Sequence, residues 1–229
     1  MSAGRNPTLI EQLFDTGRLK SPSFSLYLDP KWRSDKGFVG ELTFGGMDSI
    51  RYIKPMEYAL AAGEDRWKVQ LDTITVGDSR LKVFGDVAFV DTGTNYLFVP
   101  AKHWEALTSA IWQGPDVKLT YFPKLDALFV SCRERSKLPD IALGIRGLKK
   151  TVYLSLSQEA YVAADLNGKC YLQFYRSPTE YWIFPDFVLV GNFLHFLPSG
   201  LSGHPSPVIG IAKLRSLPEP RLKGGALSV

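Results

Sequence analysis

Asp91-Thr92-Gly93-Thr94 stands between two apolar runs, Val87-Ala88-Phe89-Val90 and Tyr96-Leu97-Phe98-Val99-Pro100. A strand that ends in a carboxylate, turns on Thr-Gly and resumes as apolar chain presents that carboxylate at the tip of a turn. So placed, it can take a proton from water or hold one beside a carbonyl oxygen. Amide hydrolysis by carboxylates alone needs two of them. One takes a proton from the attacking water, and the other, protonated, supports the developing oxyanion. Two like charges this close cannot both ionise, so their pKa values split. Gly93 lets backbone N–H groups approach the carboxylate, and Thr92 can hydrogen-bond inward to fix the turn. On its own the tripeptide is also what an ordinary Asx-type turn looks like.

The chain carries its own control. Asp15-Thr16-Gly17 is a second such tripeptide, but it follows Gln12-Leu13-Phe14 at the end of a helical pattern. Gly17 there reads as a helix C-cap and Asp15 as a solvated end residue. It is not the missing second carboxylate.

The elements around Asp91 are mostly short strands. Ser23–Leu28 and Phe38–Phe44 alternate, the latter stopped by Gly45-Gly46. Trp67–Val76 alternates with one slip, which reads as a bulge, before a turn at Gly77-Asp78. Arg80–Phe84 and Val87–Asp91 follow. Later strands are expected at Val117–Tyr121, Leu128–Ser131, Ile141–Ile145, Thr151–Leu156, Lys169–Tyr175 and Phe187–Val190. Pro7–Thr16 reads as a short helix. Pro100–Trp112 is the clearest helix, with His103, Leu107 and Ile111 on one stripe and Trp104 beside it. Pro198–Pro207, rich in Pro, Gly and Ser, reads as a loop, and the tail from Pro218 as flexible.

At 229 residues and 45% hydrophobic, the chain has ample material for one β-rich core. Net charge is +4 with scattered Lys and Arg, which speaks for solubility and against a nucleic-acid footprint. No apolar run reaches the roughly 20 residues of a membrane-spanning helix. The segment MSAGRNPTLIEQLFDTG lacks the apolar core of a signal peptide, and no Asn-x-Ser/Thr sequon occurs. His103, His195 and His204 are far apart and lack metal-ligand spacing. There is no Gly-x-Ser-x-Gly elbow and no phosphate loop. Cys132 and Cys170 mean little in a reducing compartment and would pair in an oxidising one.

Taken in order, several segments resemble the carboxy-terminal lobe of pepsin-like aspartic peptidases. They are PTLIEQLFDTGRLKSPSFSLYL, GELTFGGMDSIRY, WKVQLDTITVGD, VAFVDTGTNYLFVP, SC…LPDIALGI, the cysteine at 170, VLVGN and VIGIA. The resemblance implies a mainly β fold: a single lobe of the pepsin-like acid-protease double-psi β-barrel with one or two short helices. It implies that residues 1–215 form the lobe and 216–229 a flexible tail. Asp91 matches the second catalytic aspartate and Thr92 the threonine that braces the two active-site loops. Gly93 and Thr94 match residues that hydrogen-bond around the carboxylate, while Asn95 and Tyr96 fall where substrate subsites lie. Cys132 and Cys170 match the lobe's disulfide pair. Val188-Leu189-Val190-Gly191 matches the segment crossing behind the catalytic loop. No cofactor and no metal are implied. The implied compartment is secretory or vacuolar, although no address is visible at this amino terminus.

The chain also departs from the family pattern. It shows one catalytic loop and no first lobe, Asn95 stands for a usual Ser or Thr, and Asn192 stands for the Asp expected after Gly191. Pro198–Gly203 stands where an apolar interlobe strand is expected. Two readings follow. In one, Asp91 is half of a peptidase dyad acting on a polypeptide, the partner aspartate coming from a second lobe. In the other, the lobe is a non-catalytic, protein-binding subunit of a larger assembly.

Overall fold

The computed structural model describes residues 7–29, 40–63, 67–112, 117–165, 167–199 and 205–215. Short strands dominate, in three sheets. The expected 216–229 tail, the start of the Phe38 strand and residues 200–204 of the expected loop lie outside the described residues.

The largest sheet carries the Asp91 loop. Its order is Val152–Leu156, Ile141–Ile145, Lys68–Val76, Val87–Val90, Trp182–Phe184, Leu97–Val99 and Phe174–Arg176, with Ser79–Leu81 pairing Lys68–Val76 as well. The slip expected in Lys68–Val76 is there. Gly144 pairs Thr73 while Ile145 pairs Leu71, leaving Asp72 as the extra residue. Val69, Leu71, Ile74 and Val76 consequently all face the core. The displaced Asp72 accepts hydrogen bonds from Arg146 Nε at 3.3 Å and Thr151 Oγ1 at 2.8 Å.

A five-stranded sheet runs Gly40–Phe44, Phe24–Leu28, Asn192–Leu197, Val208–Leu214, Tyr52–Leu60. Its inner face packs Phe24 on Phe196 at 4.5 Å, with Trp67 edge-on to Phe196 at 5.0 Å. Its outer face holds a second, smaller cluster of Tyr27, Tyr52, Phe193 and Ala212. Alternation places Ser25 and His195 on that same outer face, where they stand opposite one another in register. Both are buried. Ser25 Oγ and both His195 ring nitrogens lack a hydrogen-bond partner among the described residues, and burial pushes the His195 pKa below its ordinary value.

The third sheet, Val162–Ala164, Cys170–Leu172, Ala127–Val130, Thr120–Phe122, is stapled by a disulfide between Cys132 and Cys170. The bond joins the start of a 3-10 segment, Cys132–Lys137, to the strand Cys170–Leu172.

The long helix is Ala101–Trp112, and it buries Trp104, Leu107 and Ile111 on one side as the stripe requires. The first helix is Leu9–Asp15. Thr8 and Glu11 form a reciprocal capping box at its start, and Gly17 follows its end at φ 70°. Its apolar residues form no buried face, Leu9 being 62% exposed.

Three expectations fail here. Phe187–Val190 is not a strand: Asp186–Leu189 is one helical turn, with Asp186 Oδ1 accepting from the Phe187 amide at 2.7 Å and Phe187, Val188 and Leu189 all buried. An unbroken apolar run has no period, so burial on every side reads the same for either structure. Lys169–Tyr175 divides into Cys170–Leu172 and Phe174–Arg176, which join different sheets. The apolar strand thought replaced by Pro198–Gly203 is present just before it. Asn192–Leu197 sits at the centre of the five-stranded sheet.

Candidate active site

Asp91 begins the turn between Val87–Val90 and Leu97–Val99. These two strands are not direct neighbours. Trp182–Phe184 lies between them, parallel to the first and antiparallel to the second. Its last carbonyl, that of Phe184, accepts the Asp91 amide at 2.9 Å. The strand behind the loop is therefore Trp182–Phe184 and not Val188–Gly191. The departure assigned to Asn192 goes with that correction: Asn192 opens a sheet strand, and the acid that follows the crossing strand is Asp186.

Within the turn, the Gly93 amide donates to Asp91 Oδ1 at 2.9 Å. A Cβ at Gly93 would stand 3.1 Å from that same oxygen, tighter than side-chain carbons ordinarily approach. Glycine is thus favoured by the nearby carboxylate and not by a positive φ. The Tyr96 amide donates weakly to Thr94 Oγ1 at 3.4 Å. Asp91, Thr92 and Gly93 are all exposed. Thr92 makes no side-chain hydrogen bond among the described residues.

The far side of the loop is held by a residue that the sequence pattern did not single out. Gln173 is buried between its two short strands. Its carbonyl accepts the Leu97 amide at 2.8 Å and its side-chain amide donates to Asn95 O at 2.9 Å. One polar residue in the run Cys170-Tyr171-Leu172-Gln173-Phe174 was the available signal. The Asn95 side chain, where Ser or Thr was expected, plays no part in this clamp. Tyr96 packs edge-on against Tyr175 at 4.5 Å and forms the aromatic wall beside the loop.

A second clamp fixes the base of the strand that delivers Asp91. Asp86 Oδ1 accepts from Lys102 Nζ at 2.7 Å, and Oδ2 meets His103 Nε2 at 2.5 Å and Trp182 Nε1 at 3.1 Å. The His103 and Trp182 rings stack at 5.5 Å. Burial alone would raise the Asp86 pKa. Hydrogen bonds from Lys102 and Trp182, with His103 beside it, outweigh that and hold the carboxyl below its usual value. The helix Ala101–Trp112, the strand Val87–Val90 and the crossing strand thus meet on one carboxylate. His103, read from sequence as only a helix residue, is part of this joint.

The geometry amounts to one carboxylate on a rigid two-sided turn, open to solvent, with no second acid in the loop. Comparison with known proteins gives the class. The family model described as eukaryotic aspartyl protease matches residues 1–198, and the chain belongs to that family. Napsin-A of Mus musculus is 27% identical over 216 residues, covering 90% of this chain and 48% of that protein. Gastricsin of Suncus murinus is 30% identical over 174 residues, covering 75% and 41%. Pepsin A of Sus scrofa is 29% identical over 192 residues, covering 81% and 46%. The chain spans about half the length of the curated relatives it matches.

Proposed function

We propose that Asp91 is one carboxylate of a two-carboxylate peptidase site, completed by a second lobe that supplies the other. The observation that carries this reading is the way the loop is built. Its backbone is fixed from behind by Phe184 and from the side by Gln173, while the carboxylate itself points out unburied. An ordinary surface Asx turn needs no such double support. The unpaired Thr92 hydroxyl fits the same scheme, since a matching loop from the other lobe would meet it there.

In the completed site the two carboxylates share one proton and hold a water between them. The ionised member takes a proton from that water as the oxygen attacks the peptide carbonyl. The protonated member donates to the carbonyl oxygen, giving a neutral tetrahedral diol. Collapse of the diol breaks the C–N bond, with proton return to the leaving amine. Here Gly93 N–H holds one Asp91 oxygen, which fixes the direction of the other, and Tyr96 and Tyr175 offer an apolar wall to the side chain of a bound polypeptide. The second lobe can come from further sequence of the same polypeptide, from another polypeptide or from a second copy.

The non-catalytic reading loses two of its supports. The strand thought erased is present as Asn192–Leu197, and Asn192 no longer marks a missing acid. The test is to isolate the native particle and compare peptide cleavage by wild type and Asp91→Asn. Loss of cleavage in an intact particle supports the proposal. Unchanged cleavage refutes it.

A further inference from the structure

Among the described residues, the four-stranded sheet ends on an unpaired edge strand, Thr120–Phe122. All three residues of that strand are exposed. Register puts Thr120 opposite Phe129, and Phe129 opposite Tyr171. By alternation Phe122, Phe129 and Tyr171 therefore share the outward face, while Leu128, Val130 and Leu172 point into the core. The aromatic rings touch in series, Phe122 to Phe129 at 4.9 Å and Phe129 to Tyr171 at 6.0 Å. Leu125, 57% exposed, closes the hairpin end.

A groove of about 590 Å³ runs along this face, lined in part by Lys118, Thr120, Phe122, Leu125, Arg133 and Lys169. None of the three cations forms an ion pair among the described residues. One acid, Asp165, also lines the groove. Its Oδ1 already accepts the Asn167 and Lys169 amides at 2.9 and 2.8 Å, so it is turned onto its own backbone.

We propose that this face docks an extended acidic peptide segment of another polypeptide, added as a strand along Thr120–Phe122. Lysines beside an edge strand commonly guard against unwanted pairing. A guarded edge does not also display a ladder of aromatic rings over an apolar groove. The free backbone edge suits a strand, the rings suit its alternate apolar side chains, and the unpaired cations suit acidic residues between them. A nucleic acid fits less well, because it would leave the backbone edge unused. This surface does not depend on the peptidase reading.

The test uses the full chain and a fluorescein-labelled decapeptide alternating glutamate with leucine or phenylalanine. Controls are the same peptide with lysine for glutamate, and a twenty-nucleotide oligouridylate. Saturable binding of the glutamate peptide alone is expected, weakening as salt shortens the screening length. Lys118→Glu and Lys169→Glu should each weaken it about two- to fivefold, as exposed ion pairs do, with circular dichroism unchanged. Phe122→Ser should weaken it too, and bound peptide should slow amide exchange at residues 120–122. Failure of the glutamate peptide to bind, equal binding by the charge variants, or preference for the oligouridylate overturns the proposal.

Discussion

Replacing His195 by leucine should stabilise this protein and remove part of its acid sensitivity. The ring is 5% exposed and neither nitrogen has a hydrogen-bond partner among the described residues. A buried polar group left unpaired costs about 1–3 kcal/mol. Leucine is close in volume and can share the outer face with Phe193 and Tyr27, so His195→Leu should recover about that much at pH 7.5. The pH effect follows from the lowered native pKa. In the unfolded chain the imidazole takes a proton near pH 6.5, whereas the native ring resists it. The unfolded state then binds more protons, so stability is full above that pH and declines as pH falls toward the native pKa. The decline is about 1.4 kcal/mol per pH unit while the native ring stays neutral. Urea titrations of wild type and variant at pH 7.5 and 5.5 measure both effects, through midpoints at constant m. The difference in stability between variant and wild type should widen at the lower pH, by at most about 1.4 kcal/mol. A variant less stable at pH 7.5, with the difference unchanged at pH 5.5, would refute the reasoning and show that the ring is satisfied in solution.

Three other outcomes can be checked. Cys132→Ser with Cys170→Ser opens a crosslink between residues 38 apart, and the unfolded-state entropy alone predicts a loss of about 4 kcal/mol in urea unfolding. Asp86→Asn should lower stability by about 2 kcal/mol at pH 7, because charge-assisted bonds from Lys102 and His103 are weakened on a mostly buried carboxylate. Its native pKa is depressed, so that contribution is present above about pH 4 and lost as pH falls through the native value. Urea midpoints of wild type and variant should therefore converge as pH falls below about 4. Gly93→Ala should leave the urea midpoint within about 0.5 kcal/mol, since the turn is exposed. In a native particle that cleaves peptide it should reduce kcat at least tenfold, by pushing on Asp91 Oδ1.

The parts of the site that could be read in the sequence were those with a period. Val87–Val90, the turn and Leu97–Val99 stand out because apolar runs flank a residue triplet that favours turning. The bulge at Asp72 showed as a single slip in an otherwise alternating strand. The long helix carried an apolar stripe behind a proline at its start. The crossing strand did not show, because Trp182–Phe184 is three residues long between a Ser-Pro-Thr turn and Pro185, too short to display alternation. Asn192–Leu197 hid for the opposite reason: five of its six residues are buried, so both faces look apolar and no pattern marks the strand. Tyr52–Leu60 carries Lys54, Pro55 and Glu57, which interrupt its alternation and left it unassigned, and it forms the edge of its sheet, where proline is tolerated. The roles of Gln173 and Asp86 depend on partners far away in sequence, and no local pattern encodes such contacts.

The bond from the Asp91 amide to the Phe184 carbonyl also sets a timetable for synthesis. Phe184 leaves the ribosome 93 positions after Asp91. At roughly 5–20 residues per second, the Asp91 turn waits about 5–20 seconds for the strand that shapes it. Lys68–Val76 can flank Val87–Val90 on one side during that interval, but the other side stays empty. A nascent or truncated chain ending before Trp182 therefore carries the Asp-Thr-Gly triplet without its architecture. The turn at Asp91 thus takes its final shape only after Phe184 has been made.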